Sequence, residues 1–248
     1  MENIVKIKNI KLGDGIPKIC ISVVEKEQKD IIKYIKEINK LPVDIIEWRA
    51  DFFIDDASNY DDIIEFSKEI KKASSKPILF TLRSSKEGGN IKYNSYKNII
   101  TLYENIIKNK CFELIDLELL TLKEIDIKNL IKLSNSCNIK TIISNHDFKK
   151  TPSKKEIISR INKMIKLKCD IAKVAYMPKN KKDVTALLDA ASEINDFPII
   201  AISMGNMGII TRIFGSVLTF ASAKRSSAPG QIESMKLKYI LDTIYEKN

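Results

Sequence analysis

Eight times along the 248 residues, a short run of β-branched and small apolar residues gives way to a stretch of helical period, and no linker interrupts the beat. Runs at 18–24, 43–51, 77–83, 112–119, 140–144 with its end at Asn145-His146-Asp147, 170–176, 198–204 and 217–221 read as strands. Helical patterns follow at 28–38, 60–73, 93–108, 121–135, 153–167 and 181–194; a short helical piece follows the seventh strand, and a last helix covers 231–246. Strands separated by helices of this length pair in parallel, and their near-continuous apolar character requires cover on both faces. Eight such units predict an α/β fold, a single (β/α)8 TIM barrel spanning 1–248. A doubly wound open sheet is the alternative. Its glycine-rich phosphate loop is missing, because Ser22-Val23-Val24-Glu25-Lys26-Glu27 after the first strand contains no glycine. Ahead of the repeat, residues 5–12 alternate apolar and basic side chains before Gly13-Asp14-Gly15, which predicts a short N-terminal β-ribbon within 1–15.

A formal charge of +10 raises the question of a nucleic-acid partner. The lysines, however, are spread over the polar faces of the predicted helices, with no arginine-rich arm and no aromatic-basic motif, so they read as solvated surface. No apolar run is long enough to span a bilayer, and Met1-Glu2-Asn3-Ile4-Val5 lacks the apolar region of a leader, which makes the cytoplasm the expected compartment. Cys20, Cys111, Cys137 and Cys169 are scattered without CxxC spacing and read as core thiols.

Strand parity locates the chemistry. Residues two apart share a face, so Glu47, Arg49 and Asp51 face one way while Ile46, Trp48 and Ala50 face the other. The same pairing joins Thr81 with Arg83, Asp116 with Glu118, Ser144 with His146 and Cys20 with Ser22. The outer face must pack on helices, so the ionisable residues converge on the lumen near its C-terminal mouth, where barrel active sites form. A plug of mutually satisfied ion pairs would look similar, although buried pairs add little stability. Lys173, in the middle of Asp170-Ile171-Ala172-Lys173-Val174-Ala175-Tyr176, is the most informative of these residues. An edge strand with its lysine in solvent is the plain reading; a lumen position disfavours the ammonium form and makes a candidate amine nucleophile for a carbonyl substrate.

His146 is the sole histidine and ends the strand preceding the one that carries Lys173. An imidazole beside an imine-forming amine combines proton transfer with covalent electron withdrawal. One histidine and dispersed cysteines leave only carboxylates as metal ligands, with arginines close by, so neither metal nor cofactor is expected.

Five segments, in order, resemble the motifs of the type I 3-dehydroquinate dehydratases, the Schiff-base enzymes of the shikimate pathway. They are Glu47-Trp48-Arg49-Ala50-Asp51, Thr81-Leu82-Arg83-Ser84-Ser85-Lys86-Glu87-Gly88-Gly89, Ser144-Asn145-His146-Asp147-Phe148, Lys173-Val174-Ala175 and Ser227-Ala228-Pro229-Gly230-Gln231. The resemblance implies an imine between Lys173 and the C3 ketone of 3-dehydroquinate. It makes His146 the group that removes the C2 proton and returns one to the departing C1 hydroxyl, with Glu87 orienting the histidine. Ser22, Glu47, Arg49 and Arg83 would surround the ring hydroxyls; Arg212, Ser227 and Gln231 would hold the carboxylate; Met204 and Phe220 would be apolar walls. It further implies a homodimer and a lid over 224–231 that excludes water on closing. Two rival classes remain open: another Schiff-base barrel such as a class I aldolase, and a basic binding module without catalysis.

Overall fold

In the computed structural model, which describes residues 4–54, 59–92, 95–194, 196–223 and 227–245, two antiparallel strands, β1 (Val5–Ile7) and β2 (Ile10–Leu12), precede an eight-stranded parallel sheet. The sheet comprises β3 (Lys18–Val23), β4 (Ile45–Arg49), β5 (Ile78–Thr81), β6 (Leu114–Glu118), β7 (Lys140–Asp147), β8 (Ile171–Tyr176), β9 (Ile199–Ser203) and β10 (Leu218–Ala221), with β10 beside β3 and the others in chain order. At the seam between β9 and β10, Val217 N donates to Ile199 O at 2.9 Å and Ala201 N donates to Ser216 Oγ at 3.0 Å, so a serine hydroxyl takes one ladder position. The predicted (β/α)8 barrel and its leading ribbon are both present.

Among the described residues, seven α-helices cover the outside: α1 (Gln28–Ile38), α2 (Tyr60–Ala73), α3 (Tyr96–Lys108), α4 (Glu124–Ser136), α5 (Lys154–Lys166), α6 (Lys181–Ser192) and α7 (Ser234–Tyr245). After β9 the crossover is a 3-10 turn, Asn206–Arg212, in place of a full helix. None of the described helices is long and apolar enough to cross a membrane. The apolar stripes of the helices meet the outward strand residues in one large core. Trp48 anchors it, with the rings of Phe53, Phe66, Phe80 and Phe112 at 5.7 to 6.0 Å.

A second, smaller core fills the lower lumen. Cys20, Ile45, Leu79, Leu114, Ile142, Ile171, Ile200 and Leu218, one from each barrel strand, form a layer joined by Val5, Ile7, Ile10 and Leu12 of the ribbon. The alternation in 5–12 is thus explained: apolar residues lie against the barrel floor while Lys6 and Lys11 stay exposed. All four cysteines are free thiols, three of them buried.

Element boundaries depart from the sequence-based expectation at the upper rim. β4 stops at Arg49, and Asp51 sits in a 3-10 turn, Ala50–Phe52, instead of on the strand, because it folds back to pair with the Arg49 guanidinium. β5 stops at Thr81, after which Arg83 N donates to Asp51 rather than to a neighbouring strand. β7, by contrast, runs to Asp147, within the end expected at Asn145-His146-Asp147, because β8 pairs with it up to Tyr176. The last helix starts at Ser234, with Glu233 accepting from Met235 N and Lys236 N, and this leaves Gln231 in the preceding loop.

Leu12 is fully buried beneath the lumen layer. Leu12→Ala is expected to lower unfolding free energy by about 2–5 kcal/mol, seen in urea as an earlier midpoint with an unchanged slope.

Candidate active site

Two residues above the apolar floor, the same strand faces carry polar groups: Ser22 above Cys20, Glu47 above Ile45, Thr81 above Leu79, Asp116 above Leu114, Ser144 above Ile142 and Lys173 above Ile171. The next layer includes Arg49, Glu118 and His146. The cavity over these layers is lined by all twelve residues to which the sequence assigned a catalytic or binding role: Ser22, Glu47, Arg49, Arg83, Glu87, His146, Lys173, Met204, Arg212, Phe220, Ser227 and Gln231. Gly88, Phe148, Ala175, Ile202 and Ala228 also line it and were not singled out. Ala175 and Ile202 carry no chemical signal, whereas Phe148 closes a motif whose polar members drew the attention.

Lys173 pairs in register with Ser144 on β7, and His146 lies two residues farther up the same face. The lysine Nζ is 3.5 Å from an Asp116 oxygen, 3.8 Å from a Glu47 oxygen and 4.3 Å from the Phe220 ring centre. Two carboxylates and an aromatic face therefore surround the amine, because the nearby strands bring their own polar layer to the same height. An iminium is a cation too, and fixed carboxylates stabilise it where burial alone would not. Glu47 accepts from Ser22 Oγ at 2.5 Å and Thr81 Oγ1 at 2.8 Å. Burial would lift the Asp116 carboxyl, but Arg83, Lys173 and the Ser144 hydroxyl outweigh it and hold it below the ordinary range.

Arg83 ties the carboxylates together. Its Nη2 lies 2.9 Å from Asp116, and its Nη1 donates to Glu118 at 3.1 Å and to Ser144 Oγ at 2.9 Å. Glu87 lies in a 3-10 turn, Ser85–Glu87, and its Oε2 accepts from the His146 backbone N–H at 2.9 Å while facing Nδ1 of the ring at 2.9 Å. Burial first, then the cations Arg83, Lys173 and Arg49, push the imidazole well below its usual value. Burial and the Glu118 carboxylate lift Glu87 to about 8, against the pull of Arg83 and of its hydrogen-bond donors. The two groups are in direct contact, so they titrate as a pair with a proton in the hydrogen bond between them.

Arg212 differs from the other arginines of the cavity. It is buried, and among the described residues no carboxylate forms an ion pair with it; Nη1 and Nη2 donate to the carbonyls of Phe220 at 3.4 Å and Pro229 at 3.1 Å, and Nε has no partner. Burial pushes it down to about 10. Such a guanidinium favours an incoming anion. Pro229 belongs to the loop in which Ser227 N donates to Gln231 Oε1 and Gln231 Nε2 donates to Ser227 Oγ, both at 2.9 Å. Gly230 has φ +75°, and a side chain there would meet Gly205 O at 2.3 Å, so glycine lets the loop dock on the end of β9. Residues 224–226 of the expected lid lie outside the described residues.

The profile of the type I 3-dehydroquinase family matches residues 19–248. The chain belongs to this family. Among its relatives, the 3-dehydroquinate dehydratase of Clostridioides difficile (strain 630) is 43% identical, with 99% of each chain covered, and that of Clostridium kluyveri is 41% identical, with 98% of each covered. The crystal structure of the type I 3-dehydroquinate dehydratase from Clostridium difficile with covalent modified comenic acid superposes with a TM-score of 0.93, at 43% identity and 99% coverage of both chains. The 3-dehydroquinate dehydratase of Geobacillus kaustophilus gives 0.91 at 33% identity, with both chains fully covered. All five segments that resemble the family's motifs contribute residues to this one cavity.

Glu87 binds its proton more tightly folded than unfolded, so its contribution to stability is fully present below the ordinary carboxylate range and is lost as pH rises through about 8. His146 works in reverse, its contribution being lost as pH falls from 6.5. Glu87→Gln cannot titrate. Between about pH 5 and about pH 8 its urea midpoint is expected to fall less, relative to its own value at the lower pH, than that of the unaltered protein.

Proposed function

We propose that the chain is a hydro-lyase that removes water from 3-dehydroquinate through a covalent imine on Lys173, giving 3-dehydroshikimate. The observation that carries this reading is the placement of Lys173 and the sole histidine on one lumen face of adjacent strands, with Glu87 behind the imidazole. The covalent adduct named for the C. difficile relative is in keeping with it.

The Lys173 amine adds to the C3 ketone, and the carbinolamine loses its oxygen as water to leave an iminium. Asp116 and Glu47 offset that charge. The iminium acidifies C2–H; His146 takes the proton, and the electrons move into a C2–C3 enamine. The enamine expels the C1 hydroxyl, which leaves as water with the proton from His146, on the same side of the ring. A second water then adds to the conjugated iminium and releases ketone and amine, so the balance over the cycle is one water lost. Glu87, across the Nδ1 hydrogen bond, stabilises the imidazolium between the two transfers.

Arg212 supplies the charge that receives the substrate carboxylate, with Ser227 and Gln231 beside it, and their loop shields the imine from stray water. Ser22, Glu47, Arg49 and Arg83 face the ring hydroxyls, while Met204 and Phe220 close the apolar sides. No metal or cofactor enters this scheme, since the lysine itself is the electron sink. A homodimer in the cytoplasm accompanies the family reading.

Incubation with 3-dehydroquinate and borohydride is expected to leave a reduced adduct on Lys173 detectable by mass spectrometry, and Lys173→Ala to abolish it. His146→Ala should lower turnover by about 10²–10⁴-fold while the adduct still forms. An unmodified lysine with full turnover would sink the imine, and normal turnover in the histidine variant would sink the proton shuttle.

A further inference from the structure

Glu87 grips β7 from both sides. Its Oε2 meets His146 on the lumen face, and its Oε1 accepts from Asn145 Nδ2 at 3.2 Å on the outer face. Asn145 is buried, and its Oδ1 accepts two further bonds, from Arg160 Nη1 of α5 at 2.6 Å and from Tyr176 OH of β8 at 2.9 Å. An arginine can only donate. The amide end that faces Arg160 must therefore be the oxygen, and the end that faces Glu87 must be the NH₂. Tyr176 reinforces the choice, since burial pushes its phenol up to about 12 and it keeps its proton to donate. Arg160 is braced in turn by Glu156 and stands 5.9 Å over the Tyr176 ring.

With both amide ends fixed, Oε1 of Glu87 faces an obligatory donor and cannot itself carry a hydrogen aimed at Asn145. The backbone N–H of His146 occupies part of Oε2, which leaves the line to Nδ1 for the shared proton. We propose that Asn145, clamped by Arg160 and Tyr176, is a positioning residue for His146: it orients Glu87 so that the proton these two groups share lies between Oε2 and Nδ1. The inference rests on His146 being the proton carrier of the proposed dehydration. The other ionisable groups around the pair are Arg83 beyond β5, Glu118 of β6, Arg49 of β4 and Lys173 and Tyr176 of β8, and none of them fixes which carboxylate oxygen meets the ring.

The test uses the double variant Arg160→Met, Tyr176→Phe, which keeps Asn145 and most of the packing volume but frees the amide to turn over. His146 is the sole histidine, so its imidazole gives a single set of ¹⁵N resonances that can be followed without substrate. In the folded double variant the imidazole titration is expected to move to higher pH, because Glu87 loses an assured donor and the pair holds its proton longer. The activity–pH profile should move the same way, with kcat falling about tenfold and KM within about twofold. Arg160→Lys, which still only donates, should restore both readings. An unchanged imidazole titration in a folded double variant overturns the inference, as does a kcat loss that only tracks the unfolded fraction. Absence of trapping on Lys173 would instead overturn the proposed function, and the resonance arm would still decide the role of Asn145.

Discussion

Residues two apart on a strand face the same way, and in a barrel of eight parallel strands that single fact sorts nearly every important side chain. An apolar layer from β3 to β10 sits low in the lumen, polar residues stand two positions higher, and the intervening residues enter the helix-covered core around Trp48. A one-residue slip in β8 would exchange Lys173 for Ala172 or Val174 in the wall and destroy core and site together. The large outer core therefore does more than stabilise: it pins the register that holds amine, imidazole and carboxylates at their heights.

The buried charges are organised so that each compensates another. Arg83 is the hub for Asp116 and Glu118, Arg49 is held by Asp51, and Lys173 stands among Glu47, Asp116 and the Phe220 ring. Pairs of this kind contribute little net stability, but breaking one leaves an uncompensated charge, so the network favours one geometry over its alternatives. Arg212 is the exception, since among the described residues its hydrogen bonds go to the carbonyls of Phe220 and Pro229. Its unbalanced charge lies in the same cavity as the amine and imidazole, where it suits an anionic substrate.

The sequence was most legible where periodicity or a motif forced a face. Eight strand–helix alternations lead to the barrel, the lysine–apolar alternation of 5–12 to the ribbon, and the motifs to residues that surround one cavity. It was least legible where a side chain ends an element. Asp51 looks like the next lumen residue of β4 but turns back on Arg49, and Glu233 caps α7 so that the helix starts at Ser234, three residues later than the helical pattern begins. The carboxylates flanking Lys173 were visible as residue types, but which of them reach an amine depends on register across three non-neighbouring strands. Asn145 gave less warning still, because it projects outward and its importance lies in contacts with α5 and β8 that no spacing discloses.

The ribbon also has a kinetic meaning. By backing the apolar layer that the eight strands already supply, Val5, Ile7, Ile10 and Leu12 complete a closed floor, and the lumen above it is a cup. Reactant, product and the expelled water must then share one doorway, at the rim where Ser227 and Gln231 sit. Arrivals and departures follow strictly in turn, and a molecule that lingers at the rim blocks the next one however fast the chemistry below.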